Sequence, residues 1–108
     1  MREIAATDLA KLLDERAPDV LVLDVREPWE NKLVALPGSR LLPLGELPQR
    51  VNELSVPKDS TVVTYCHHGV RSQTAAAWLE RAGFRNVVSL AGGIDAWSVH
   101  IDPSVRRY

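Results

Sequence analysis

Three apolar runs of strand length recur along the chain, and a polar turn and a helical pattern follow each of them. Residues 20–25, Val-Leu-Val-Leu-Asp-Val, are almost continuously apolar. Such a run marks a strand buried on both faces, because a strand with one wet face alternates apolar and polar residues. Residues 60–65 and 87–90 repeat the pattern. Strands separated by helices cannot pair as hairpins. They run parallel, and their sheet needs helices on both faces. The expected fold class is therefore α/β.

The connecting segments fit that scheme. Thr7 can cap a first helix in which Leu9, Leu12 and Leu13 share a face, ending near Arg16 before Pro18. Pro28 suits the first turn of a short helix over residues 27–32. Leu36-Pro37-Gly38-Ser39 reads as a turn, with a short strand after it at residues 40–42. Residues 45–54 read as a helix with Pro48 in its first turn. Residues 72–82 read as a helix closed by Gly83. Gly92-Gly93 turn the chain into a last helix, from Ile94 to about His100. The 108 residues are expected to form one domain, 1–108.

Composition removes several classes of function. Apolar residues at 45% and charged residues at 25% are ordinary for a globular protein. Thirteen Lys and Arg against fourteen Asp and Glu give a net charge of −1, without the basic excess of a nucleic-acid binder. No apolar run approaches the ~20 residues of a spanning helix. Met1-Arg2-Glu3 is not followed by the apolar stretch of a signal peptide. No membrane partner is expected, and the expected location is the cytoplasm. Cys66 is the one cysteine, so the chain has no intramolecular disulfide and no multi-cysteine zinc site.

Parallel sheets bind ligands at the carboxyl ends of their strands. Asp24-Val25-Arg26, residues 66–71 and residues 91–93 fall at such ends. Cys66 leaves a strand just before a helix begins. A helix N-terminus offers unpaired N–H groups and the positive end of the dipole, which favour the thiolate, the nucleophilic form. Gly69 permits the backbone curl that turns successive N–H groups inward. The product is an anion cradle with a sulfur nucleophile at its floor. Its donors suit a thiolate, a persulfide or an incoming oxyanion. A lone cysteine is more often a small buried hydrophobe. Two histidines, a glycine and an arginine beside it, at a strand-to-helix junction, favour the functional reading.

Cys66-His67-His68-Gly69-Val70-Arg71-Ser72 resembles the active-site loop of rhodanese-type sulfurtransferases. Leu23-Asp24-Val25-Arg26-Glu27 resembles the family's upstream motif, Leu36-Pro37-Gly38-Ser39 its turn, and residues 90–97 its C-terminal motif. Ala35 stands where the family usually has His, and Val34 where it usually has Gly. The resemblance implies a five-stranded parallel sheet with helices on both faces, its first strand short and near residues 3–5. It also implies transfer of sulfane sulfur. The Cys66 thiolate takes the outer sulfur of a small anionic donor such as thiosulfate. The persulfide rests on the N–H groups of His67, His68, Gly69, Val70, Arg71 and Ser72, and cyanide or a thiol, a protein thiol among them, accepts the sulfur. No metal or organic cofactor is implied.

The neighbouring residues have competing readings. Arg71 either binds the donor or, as preferred here, turns back to pair with Asp24 or Glu27 and fixes the loop. Asp24 is expected in a loop-fixing ion pair, and Arg26 is expected to draw anions to the mouth. His67 and His68 either touch a substrate or partner or are solvated loop residues. They do not complete a zinc site with Cys66, because adjacent side chains diverge. Trp29 can line the mouth, while Trp78 and Trp97 are expected in the core. Residues 101–108 resemble tails found on proteins that activate sulfur carriers, although packing along the domain's edge is the preferred reading.

Two other functions compete with sulfur transfer. Phosphatases and arsenate reductases also set a cysteine beneath an anion-binding loop. Their pattern is Cys, five residues, Arg, whereas four residues separate Cys66 from Arg71. The shorter loop suits a sulfur atom and is tight for phosphate. The other alternative is a non-catalytic sulfur-relay or binding module with the same fold.

Overall fold

A computed structural model of the chain describes residues 2–15 and 19–108. Five strands form one parallel sheet: β1 (Arg2–Ile4), β2 (Val20–Asp24), β3 (Arg40–Leu41), β4 (Thr61–Tyr65) and β5 (Asn86–Leu90). Their spatial order is β1-β5-β4-β2-β3. Five α-helices alternate with them: α1 (Ala6–Asp14), α2 (Pro28–Leu33), α3 (Leu47–Arg50), α4 (Val70–Arg81) and α5 (Gly93–His100).

The apolar runs explain the layering. Consecutive residues of β2 and β4 face opposite sides of the sheet. Leu23 and Val62 join a cluster with Leu47, Ala75, Ala76 and Leu79 of α3 and α4. Val22 and Val63 join a second cluster with Leu9, Ile94 and Trp97 of α1 and α5. Both sides are therefore covered, and neither strand alternates in polarity. Trp97 lies in the core, whereas Trp78 is only half-buried at its margin.

Some expectations are corrected. Thr7 does not cap α1. Ala5 holds the capping position in an extended conformation, which places Thr7 inside the first turn. The expected end of that helix, at Arg16 and before Pro18, lies outside the described residues. The expected helix over residues 45–54 is three short pieces, a 3-10 turn at Leu44–Glu46, then α3, then a 3-10 turn at Val51–Glu53. Pro48 lacks the N–H that would join the first of these pieces to α3, and it sits in the first turn of α3, where that N–H has no partner in a helix. Helix α4 begins at Val70 and not at Ser72, because Gly69 caps it at φ +103°. Strand β1 lies one residue earlier than residues 3–5.

Strand register sets the site. Asp24 pairs with Tyr65, so β2 and β4 end level with one another. The chain leaves β2 toward β3 and leaves β4 toward β5, in opposite directions. A crevice opens where connections diverge in this way, and Cys66 is the first residue beyond β4. Among the described residues no helix is long and apolar enough to cross a membrane.

Candidate active site

Cys66 is 1% exposed at the floor of the loop. Its Sγ accepts N–H bonds from Gly69 at 3.1 Å and from Ser72 at 3.4 Å. The Ser72 hydroxyl lies 3.6 Å from Sγ and 2.7 Å from the Ser89 hydroxyl on β5. The outer side of the loop rests on α5. Ile94 N–H donates to the Cys66 carbonyl at 2.9 Å and Asp95 N–H to the His67 carbonyl at 3.2 Å. A trans peptide places its C=O and N–H on opposite sides. Carbonyls sent outward to α5 therefore leave the loop's N–H groups facing away from that helix. Gly69 could not carry a side chain easily here, since a Cβ would lie 3.3 Å from Gly92 N.

Two ion pairs frame the loop. Asp24 and Arg26 are both fully buried and pair at 2.7 Å, with a second bond from Arg26 Nε at 2.8 Å. Arg26 also donates to the Val34 carbonyl at 2.6 Å and to the Tyr108 hydroxyl at 2.9 Å. This corrects the expectation that Arg26 draws anions to the mouth. Its guanidinium lies under the Tyr65 and Tyr108 rings, fully buried, and four of its five N–H donors are bonded. Asp24 does form a loop-fixing pair, with Arg26.

Arg71 turns back as expected, but to neither Asp24 nor Glu27. It makes a two-pronged bond to Glu30, at 2.6 and 2.9 Å. Glu27 instead caps α2, with its own N–H bonded to Glu30 Oε1. Glu30 is thus a site residue absent from the sequence reading. Its signal was the Glu27-Pro28-Trp29-Glu30 capping pattern, which marks a helix start without revealing the arginine. Burial alone would raise the Glu30 carboxyl, but the bonds from Arg71 and Tyr108 outweigh it and hold it at about 2, against an ordinary 4.5.

The chemistry of Glu30 gives a prediction. A carboxyl depressed on folding binds protons more readily in the unfolded chain. It therefore adds stability at neutral pH that drains away as pH falls from 4.5 toward about 2. Melting temperature should decline across that window in the wild type and stay flatter in Glu30→Gln. Arg71→Ala strands the Glu30 carboxylate in a buried place and should cost about 2 kcal/mol at neutral pH. Thermal melts check both. Unchanged melting in Arg71→Ala would mean that the pair with Glu30 does not fix the loop.

His67 and His68 differ. His68 is exposed, with Nδ1 4.0 Å from Asp95. His67 is half-buried, stacked on His68 at 4.0 Å and on Tyr108 at 3.8 Å. Burial, then the neighbouring His68, pushes its imidazole below the usual range and favours the neutral ring. Val70 projects into solvent, 76% exposed, and Trp29 is 62% exposed with its ring edge-on to Tyr108. Among the described residues no group of three or more His, Cys, Asp or Glu side chains is placed to hold a metal ion. The tail does pack down, through buried Val105 and a bond from Ser98 Oγ to its carbonyl at 2.6 Å. Its last residue lies over the loop.

A parallel α/β sheet with a thiol that accepts N–H bonds from Gly69 and Ser72 at the head of a helix defines a class of domains that work on anions or sulfur through cysteine. Comparison with known proteins narrows this. The family model of the rhodanese-like domain matches residues 5–100. A sulfurtransferase from Allochromatium vinosum is 39% identical over 105 residues, covering 97% of this chain and 95% of that protein. The probable adenylyltransferase/sulfurtransferase MoeZ of Mycobacterium tuberculosis is 38% identical over 87 residues, or 81% of this chain. The match takes up only 22% of that longer relative. The crystal structure of a rhodanese-related protein from Thermoplasma volcanium superposes with a TM-score of 0.81 at 33% identity, covering 94% of each chain. The chain belongs to the rhodanese-like family of sulfurtransferases.

Proposed function

We propose that this protein moves sulfane sulfur from a small anionic donor such as thiosulfate to a nucleophilic acceptor, through a persulfide on Cys66. One observation carries the reading: Sγ sits beneath the Gly69 and Ser72 N–H groups at the head of α4. In the first step the Cys66 thiolate attacks the outer sulfur of thiosulfate. A bond forms from Sγ to that sulfur, the donor's S–S bond breaks, and its electron pair departs with sulfite. In the second step cyanide or a thiolate attacks the terminal sulfur. The Sγ–S bond breaks and its pair returns to Cys66, restoring the thiolate. The electrons balance within each displacement, so neither step calls for a cofactor. The loop N–H groups, with the Ser72 hydroxyl, hold the negative charge as it moves outward by one atom.

The domain is small and its mouth carries exposed Val70 and Trp29, which suits a protein thiol as acceptor. The joined activities in the name of the Mycobacterium relative agree with such a relay. A thiol that must be regenerated at each turnover suits the cytoplasm. Thiosulfate should add one sulfur atom to the protein by mass, and cyanide should remove it. The competing phosphatase reading is separated by room. Phosphate needs N–H donors around three equatorial oxygens and space for an in-line leaving group. The four-residue gap between Cys66 and Arg71 is therefore expected to leave p-nitrophenyl phosphate essentially untouched. Faster hydrolysis of that ester than thiocyanate formation would overturn the assignment.

A further inference from the structure

We propose that Tyr108 is a positioning residue for the sulfur-carrying loop, locking it through its hydroxyl to Glu30 and through its ring to His67. This rests on the sulfurtransferase reading for its consequence in turnover. Its geometry stands apart from that reading.

The two ion pairs that frame the loop meet at one atom. Tyr108 lies 82 residues from Arg26 and 78 from Glu30 in sequence. Arg26 Nη1 donates to its hydroxyl oxygen at 2.9 Å, and the hydroxyl donates to Glu30 Oε2 at 2.6 Å. The direction follows from the groups themselves. A guanidinium has no acceptor and a carboxylate has no hydrogen, so the phenol's one proton goes to Glu30. Burial and the Glu30 bond push the phenol up to about 12, which keeps that proton in place at neutral pH.

The ring does separate work. It lies 3.8 Å from the His67 ring at an interplanar angle of 6°. His67 directly follows the nucleophile, so fixing its ring fixes the first peptide of the loop. The tail that delivers Tyr108 is itself held, by buried Val105 and by Arg107 on Asp95 at 2.8 Å. Asp95 N–H in turn holds the His67 carbonyl.

A continuous chain of contacts therefore runs Asp24, Arg26, Tyr108, Glu30, Arg71. It ends one residue before Ser72, whose N–H meets the sulfur. Without the hydroxyl, Glu30 swings with Arg71 and the head of α4 loosens. Without the ring, His67 is unpinned as well. Tyr108 reaches no reacting atom in this scheme. It acts through Glu30 and His67.

Tyr108→Phe and Tyr108→Ala separate the two contributions. In the full chain, well below either melting point, Tyr108→Phe should slow single-turnover persulfide formation from thiosulfate about tenfold. Its thiosulfate KM should stay within about twofold, because the donor is not touched. Tyr108→Ala should be slower again by about threefold, so that phenylalanine is a partial rescue. Alkylation of Cys66 by iodoacetamide should slow in the same order. A merely structural tyrosine would lower melting and leave these rates alone. Wild-type rates of both persulfide formation and alkylation in Tyr108→Phe would overturn the proposal. Wild-type protein that takes no sulfur from thiosulfate would overturn the sulfurtransferase reading, and alkylation would then decide the role of Tyr108 by itself.

Discussion

Replacing Cys66 by serine should abolish sulfur transfer, a loss on the order of 10⁴-fold or more in kcat/KM. Oxygen is a poor nucleophile toward a sulfane sulfur, and its hydroxyl stays protonated where a thiol ionises. The chain has no second cysteine to take over. Serine still offers the Gly69 and Ser72 N–H groups an acceptor. The fold should therefore survive, and thermal melting should change by no more than about 1 kcal/mol. Two readouts check this. The mass of the treated protein should not rise with thiosulfate, and thiocyanate should not form with cyanide present. Thiocyanate production by Cys66→Ser would sink the mechanism, because the sulfur would then travel by a route that bypasses the loop.

The largest effect on stability is expected from Gly93→Ala. Gly93 opens α5 at φ +63°, a region that residues with a side chain seldom enter. Strain is the smaller part of the problem. A Cβ there would lie far inside van der Waals contact with the Cys66 and His67 carbonyl oxygens, and 2.6 Å from the His67 carbonyl carbon. These are backbone atoms, and their carbonyls are tied to Ile94 and Asp95 N–H. No rotamer change relieves the clash, so the loop has to lift from α5. The expected loss is about 4 kcal/mol or more, enough to prevent folding at moderate temperature. Gly38→Ala is the control. It has φ +77° with nothing near its added carbon, so it carries conformational strain alone, about 1 kcal/mol. Urea unfolding of both variants measures the difference. Equal midpoints would mean that the loop does not rest on α5.

What could be read from the sequence was what local chemistry decides. Strands β2, β4 and β5 declared themselves because burial on both faces removes polar residues from the run. The cradle was legible because strand, Cys66, Gly69 and helix follow within a few residues, and the glycine's conformation is a local matter. The pairing of charges was not legible. Arg71 chose Glu30 over Asp24 and Glu27 because α2 turns its third residue toward the loop, and that orientation depends on how α2 packs. Arg26 was misjudged for a related reason. Its position near the mouth implied an exposed cation, yet Tyr108, at the far end of the chain, covers it. The helix expected over residues 45–54 is interrupted just ahead of Pro48 for a local reason, the N–H that proline lacks.

The position of β4 has a consequence for how the molecule opens. It has a bonded strand on each side, whereas β1 and β3, at the two edges, are three and two residues long. Edges fray at little cost, while amides in a central strand exchange with deuterium only when the whole sheet comes apart. The nucleophile therefore hangs from the segment that is last to breathe. Fraying of either edge strand leaves the strand that carries Cys66 paired on both sides.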